Sequence, residues 1–138
     1  MRLIIARSNF FSYSETFIEE QIKQLEPVHV LYEGWQPSRL KAGGSIYPIP
    51  FSILAIRGIL RRVAPALYQK IYTHFLRRFL QQNKIDAFLA NYGPLGANIY
   101  KACSDLGIPY SVVFLGFDAA EKKTLDAYGA RYATYLPR

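Results

Sequence analysis

A chain of 138 residues, 51% hydrophobic and 20% charged, is one domain's worth of globular sequence and is too apolar to be disordered. The single cysteine, Cys103, excludes an intramolecular disulfide and any cysteine metal cluster and makes a reduced compartment the default, while no apolar run reaches the roughly 18–20 residues of a membrane-spanning helix. The net charge of +7 belongs to one segment: between Gly34 and Ile85 lie nine basic residues and no acidic one, leaving eight basic and ten acidic residues elsewhere, a net of −2.

Leu3 to Ala6 is a short apolar run suited to a buried strand. It is too short for the core of a secretory leader, and polar Arg7, Ser8 and Asn9 follow it. The polar loop 8–14 leads to two overlapping capping-box spacings, Ser12 with Glu15 and Thr16 with Glu19. Ile18, Ile22 and Leu25 then give a helix one apolar face, and Pro27 ends it. Val28 to Tyr32 reads as a second strand. Residues 34–50 form a Gly- and Pro-rich loop with a small strand over Ser45 to Tyr47. Phe51 to Gln82 has a helical pattern broken near Pro65, where proline lacks its N–H and clashes one turn back. Lys84 to Ala90 is a strand. The next helix carries Leu95, Ile99, Ala102, Cys103 and Leu106 along one stripe and stops at Gly107. Tyr110 to Leu115 is a strand, β-branched at Val112 and Val113. Ala119 to Leu136 reads as a tail helix weakened by Gly129.

Strand and helix alternate, so the expected fold is α/β: a Rossmann-like parallel sheet with helices on both faces, residues 1–138 forming a single domain. Ligands of such sheets sit beyond the carboxyl ends of the strands, where the strand order reverses. Three exits are expected to converge there: 8–16, 91–96 and 116–118.

Each exit carries chemistry. Ser8, Asn9, Ser12, Ser14 and Thr16 precede a helix N-terminus, whose free N–H groups favour anions or hydroxyls; the same residues also read as helix caps. Asn91, Tyr92 and Gly93 bring an amide, an aromatic ring and open backbone to the second exit, although Gly93-Pro94 is also an ordinary strand-to-helix turn. Asp118 ends the third, facing the cleft or capping the tail helix. No glycine-rich dinucleotide fingerprint, P-loop or metal-spaced cluster occurs. His29 in a strand and His74 in the long helix lie away from every exit and read as structural. The basic segment interleaves Ile53, Ile56, Leu60 and Val63 with Arg57, Arg61 and Arg62. An apolar face bordered by arginine fits an anionic membrane surface, or else a core-facing helix with solvated charges. No RNA- or DNA-binding motif is present, and the aromatics of 67–80 fall at helical core spacing, so nucleic acid is not an expected partner.

The run Ser14-Glu15-Thr16-Phe17-Ile18-Glu19-Glu20-Gln21-Ile22 resembles the S-E-T-F-I-x-x-Q-I signature of bacterial family 4 glycosyltransferases, which make exopolysaccharide and lipopolysaccharide. Ile85-Asp86-Ala87, Tyr92-Gly93-Pro94-Leu95-Gly96, Gly107-Ile108-Pro109 and Phe114-Leu115-Gly116-Phe117-Asp118-Ala119 are similar, in the same order, to the family's I-D-x-x-x-A-x-x-G-P-x-G, G-I-P and F-H-G-Y-D-A stretches. The resemblance spans nearly the whole chain. It implies the N-terminal, acceptor-side domain of a GT-B enzyme: metal-independent, retaining, with a nucleotide-sugar as donor substrate and no further cofactor. The substrate-binding positions it implies are Ser14, Glu15, Thr16, Asn91, Tyr92, Gly93, Gly116 and Asp118, with Arg57, Arg61 and Arg62 on lipid phosphate or membrane. Nothing resembling the C-terminal donor-binding domain with its paired glutamates is present, so the chain alone is expected to be inactive. Leu115 also stands where the family often has a histidine that contacts the reacting sugar, and leucine can neither donate nor accept a proton.

The expected activity is therefore sugar transfer from a nucleotide-sugar to a lipid-linked or envelope saccharide, at the inner face of the cytoplasmic membrane. It would need the missing domain or a separate subunit as partner. The alternative is a non-catalytic module binding an anionic membrane surface or a separate catalytic subunit. A third reading, an unrelated flavodoxin-like protein, would hold a flavin.

Overall fold

A computed structural model describes residues 1–9, 15–48 and 54–135. The strands are β1 (Leu3–Ala6), β2 (His29–Tyr32), β3 (Arg39–Leu40), β4 (Ala87–Asn91) and β5 (Tyr110–Val113). The helices are α1 (Thr16–Leu25), α2 (Leu54–Val63), α3 (Pro65–Gln82), α4 (Gly93–Leu106), α5 (Phe117–Ala120) and α6 (Lys122–Tyr135). They build an α/β domain around a five-stranded sheet in the order β3-β2-β1-β4-β5. β2, β1, β4 and β5 run parallel.

The sheet is mixed rather than parallel throughout, because β3 pairs antiparallel with β2. The expected strand over Ser45 to Tyr47 is displaced to Arg39–Leu40, and Ser45 contributes only a bridge to Arg39. Gly43 and Gly44 are the cause. At φ +103° and +89° they turn the chain back through hydrogen bonds Gly43 N–H to Leu40 O (2.9 Å) and Leu40 N–H to Gly44 O (3.1 Å). Ile46 and Tyr47 are buried, which explains their strand-like apolarity without a strand.

All four residues of β1 are buried, as a central strand requires. Register places Ile4, Ala6, Leu31, Phe88 and Ala90 on one face of the sheet. They share one core with Tyr72, Leu76 and Leu80 of α3 and Leu95 and Ile99 of α4. Right-handed crossovers in this strand order require α1 on the face opposite α3 and α4, and α3 and α4 do pack together. Pro65 divides the long helical stretch into α2 and α3. α4 ends at Gly107, φ +66°, whose N–H returns to the last turn.

Two local expectations shift. Thr16 is the first helical residue rather than a cap, and Glu15 before it makes no capping bond because its carboxylate is engaged elsewhere. The alternative capping pair, Ser12 with Glu15, depends on a residue outside those described. The tail is two helices, α5 and α6, parted at Glu121; Leu136 lies outside the described residues.

Candidate functional site

β1 has β2 on one side and β4 on the other, so the strand order reverses between β1 and β4 and a crevice opens at their carboxyl ends. The three exits meet there. The Tyr92 hydroxyl, after β4, donates to the Glu15 carboxylate at the start of α1. Gly93 N–H, the first donor of α4, bonds Asp118 Oδ2 at 2.6 Å, and Leu115 N–H bonds Asp118 Oδ1 at 2.7 Å. Asp118 is thus fully buried, and its carboxylate occupies the electropositive end of α4. It closes the exit of β5 onto the exit of β4.

Gly93 is required here by space. A Cβ on it would lie 2.5 Å from Phe114 Cε1 and 2.8 Å from Tyr132 Cζ. The preceding residue carries the strain instead. Tyr92 sits at φ +91°, ψ 139°, a region almost reserved for glycine and costing about 1–3 kcal/mol. Glu33, at the exit of β2, has φ +96°. Glu26 and Lys84, at the amino ends of β2 and β4, also have positive φ, but at +45° and +50° they lie nearer the ordinary left-handed region, so the two larger departures are those of the carboxyl rim.

Beneath the rim lies a buried charge network. Arg7, fully buried at the end of β1, pairs with Glu15 at 3.0 Å and with Glu19 of α1. Lys41 reaches Glu19 at 3.2 Å. Burial opposes ionisation of Glu19, but hydrogen bonds from Arg7 and Lys41, and their charges, outweigh it and hold the carboxyl below its ordinary range. Burial, and then the bond to Glu15 and its charge, push the Tyr92 hydroxyl well above its ordinary value, so it stays a donor. Both Glu15 oxygens are occupied inside the protein. Asn91 stands apart: its amide is fully buried at the end of β4, and among the described residues neither its oxygen nor its nitrogen has a hydrogen-bond partner. A buried amide in that state costs about 1–3 kcal/mol and awaits a partner.

Beside the crevice is an open groove of about 870 Å3, within the size range of small-ligand sites. Trp35 joins the two: its ring meets Tyr92 edge-on at 5.8 Å, its carbonyl accepts from Asn98 Nδ2 at 2.7 Å, and it lines the groove. Arg57 and Arg61 of α2 and Arg131 of α6 line the groove as well.

The sequence-based residues are thus distributed as follows. Glu15, Asn91, Tyr92, Gly93 and Asp118 come together at the crevice, with Gly116 exposed on the same turn at φ +83°. Thr16 is exposed at the head of α1, and Ser14 lies outside the described residues. Arg57 and Arg61 enter the groove, whereas Arg62 is exposed and does not. The Tyr92 ring is buried rather than open as a stacking surface. Trp35, Gln36, Gln69, Asn98 and Arg131 were not singled out from sequence. Arg131 lies beyond the basic segment, in a tail helix whose periodicity says nothing about the groove.

His29 bonds Asn83 at the opposite edge of the sheet, and His74 is exposed on α3. Burial pushes the Cys103 thiol up to about 12, which makes it inert. Among the described residues no group of three or more His, Cys, Asp or Glu could hold a metal, and no helix is long and apolar enough to cross a membrane. Comparison with protein-family models, with curated proteins and with solved structures finds no match to this chain.

Proposed function

We propose that this chain is the acceptor-binding half of a GT-B-type glycosyltransferase, acting from the cytoplasmic side of a membrane on a lipid-linked or envelope saccharide. The observation that carries the reading is the meeting of three motif-bearing exits at one strand-order reversal: Glu15 to Tyr92, and Gly93 to Asp118. The carboxylates of the rim are spent on holding it together, and Leu115 adds no proton donor. Such a rim can bind and orient a saccharide but supplies no acid or base. That division of labour fits an acceptor side, with the nucleotide-sugar held by a second domain in the same or another chain. The residues proposed to face the acceptor are the exposed Thr16 and Gly116, with the buried Asn91 amide behind them. Glu15, Tyr92 and Asp118 position them.

The test is transfer. Membranes holding the complete reading frame that encodes this domain, and its neighbouring frames, are incubated with labelled nucleotide-sugars. Label is expected in a lipid-extractable or polymeric product, and Thr16→Val, at an exposed position, is expected to weaken its formation. Absence of a second Rossmann-like domain with paired glutamates, together with no transfer from any nucleotide-sugar, overturns the reading.

A second reading, a module that lies on an anionic membrane, is favoured by α2. Ile56, Ile59 and Val63 are exposed at i, i+3 and i+7, Val63 to 78%, with Arg62 exposed on the same helix. The two readings are compatible, since a lipid-linked acceptor is met at such a surface.

A further inference from the structure

The groove between α2, α3 and α6 is set apart by its charge. Arg61 is exposed and makes no ion pair or hydrogen bond among the described residues. Arg57 spends one nitrogen on neutral oxygens, Ser38 Oγ and Tyr68 OH, each at 3.2 Å, and lies 4.3 Å over the Tyr47 ring; its buried Nε has no partner among the described residues. Arg131 donates to Ala97 O at 2.5 Å and Asn98 Oδ1 at 2.9 Å. None of the three meets a carboxylate among the described residues. The one acid lining the groove, Glu33, is committed to Ser38 at 3.0 Å and Arg39 at 3.2 Å.

A second, independent feature has the same sign. Pro65 and Ala66, which open α3, also line the groove. α3 is 18 residues long, its N-cap is Ala64, no side chain caps it, and its first turn holds no acidic residue. The positive end of a long helix, with no side-chain cap, thus shares the groove wall with three guanidinium groups. A cleft lined by one sign of charge focuses its field and concentrates counter-ions, so an anion is favoured here. Trp35, Tyr128, Gln36 and Gln69 complete the wall with aromatic and amide groups suited to a hydroxyl-rich body.

We propose that this groove binds a phosphoryl group carried on a saccharide, the phosphate held by Arg57, Arg61, Arg131 and the head of α3, and the sugar lying toward Trp35 and Gln69. Arginine is suited to this because its planar fork meets two phosphate oxygens at once. Trp35 then hands the sugar on to the crevice beside Tyr92. Identification of the bound saccharide as the acceptor rests on the transferase reading above; the anion site does not.

The experiment is calorimetric titration of the full chain with inorganic pyrophosphate, inorganic phosphate, glucose 1-phosphate and glucose. Pyrophosphate and glucose 1-phosphate are expected to bind. Arg61→Gln, at an exposed side chain that supports nothing in the fold, is expected to weaken both about tenfold. Arg62→Gln, one residue along the same helix but outside the groove, is expected to leave both unchanged. Arg131→Lys, which keeps the charge and loses the fork, is expected to weaken binding and, because its bonds to Ala97 and Asn98 are lost too, to lower the thermal midpoint, so Arg61→Gln is the decisive variant. No pyrophosphate binding, or equal losses in Arg61→Gln and Arg62→Gln, overturns the proposal in favour of a diffuse basic surface. Pyrophosphate binding with glucose 1-phosphate no tighter than inorganic phosphate overturns the saccharide part and counts against the acceptor reading, while the anion site stands. A vesicle arm identifies the source: phosphatidic acid vesicles displaced by pyrophosphate mean a lipid-borne phosphate enters the groove, and vesicles bound without displacement mean the groove takes a soluble one.

Discussion

Tyr92 is held at φ +91° by what its side chain reaches. A glycine would occupy that backbone without strain, so the tyrosine is retained for its ring against Trp35 and its hydroxyl on Glu15. Glu15 and Arg7 are both buried, and a buried ion pair is tolerated only when its remaining hydrogen-bonding capacity is filled. Tyr92→Phe removes that filling while keeping the ring. It is expected to lower stability by about 1–3 kcal/mol, read as a drop in the denaturant midpoint with an unchanged slope. An unchanged midpoint would mean the hydroxyl carries nothing. Glu19 gives a pH test of the same network. Its carboxyl is held below the ordinary range in the fold, so its contribution is complete above the unfolded value and is lost as pH falls through the lowered folded value. The stability gap between the native chain and Glu19→Gln is therefore expected to be constant near neutrality and to close in acid. A gap that widens in acid would reverse the assigned sign.

At the scale of elements, what was legible in the sequence was what depends on neighbours in sequence. Leu3–Ala6 is a strand because four consecutive apolar residues suit a position buried on both faces, and the Pro65 break follows from one missing N–H. β3 was misplaced because burial of Ile46 and Tyr47 comes from packing in the core, which periodicity cannot separate from strand pairing. The convergence of 15, 92 and 118 followed from βα order; the engagement of Glu15 and Asp118 inside the protein did not, since it depends on Tyr92 and Gly93, distant in sequence, and on the local geometry of Arg7 and Leu115. α2 combines both cases. Its amphipathic spacing is local, but that the exposed side is the apolar one appears only once it packs on α3. Ile59→Glu places a charge on that stripe and touches no core contact, so stability is expected to change by no more than about 0.5 kcal/mol. Co-sedimentation with anionic vesicles is expected to fall severalfold. Binding that survives the substitution, or that ignores lipid charge, removes the membrane reading and leaves the crevice untouched.

Across the whole molecule, charge and fold pull in opposite directions. The +7 charge is concentrated on the segment that supplies α2 and α3. Of its nine cations only Arg39, Lys41 and Arg77 meet a carboxylate within ion-pair distance among the described residues. The other six, spread over α2, α3 and the turn after it, add like charge without a counter-charge, a cost that the isolated protein bears and an anionic ligand would relieve. The ion pair that does hold the fold, Arg7 with Glu15, is buried and therefore screened little. These two facts give salt opposite effects on stability and on binding. Raising sodium chloride from about 0.02 to 0.3 M shortens the screening length severalfold. The thermal midpoint is expected to rise by a few degrees as the surface repulsion fades, while affinity for pyrophosphate falls over the same range. If the midpoint instead falls with salt, surface attraction outweighs repulsion, and the cationic side is not the uncompensated field on which both the groove and the membrane surface depend.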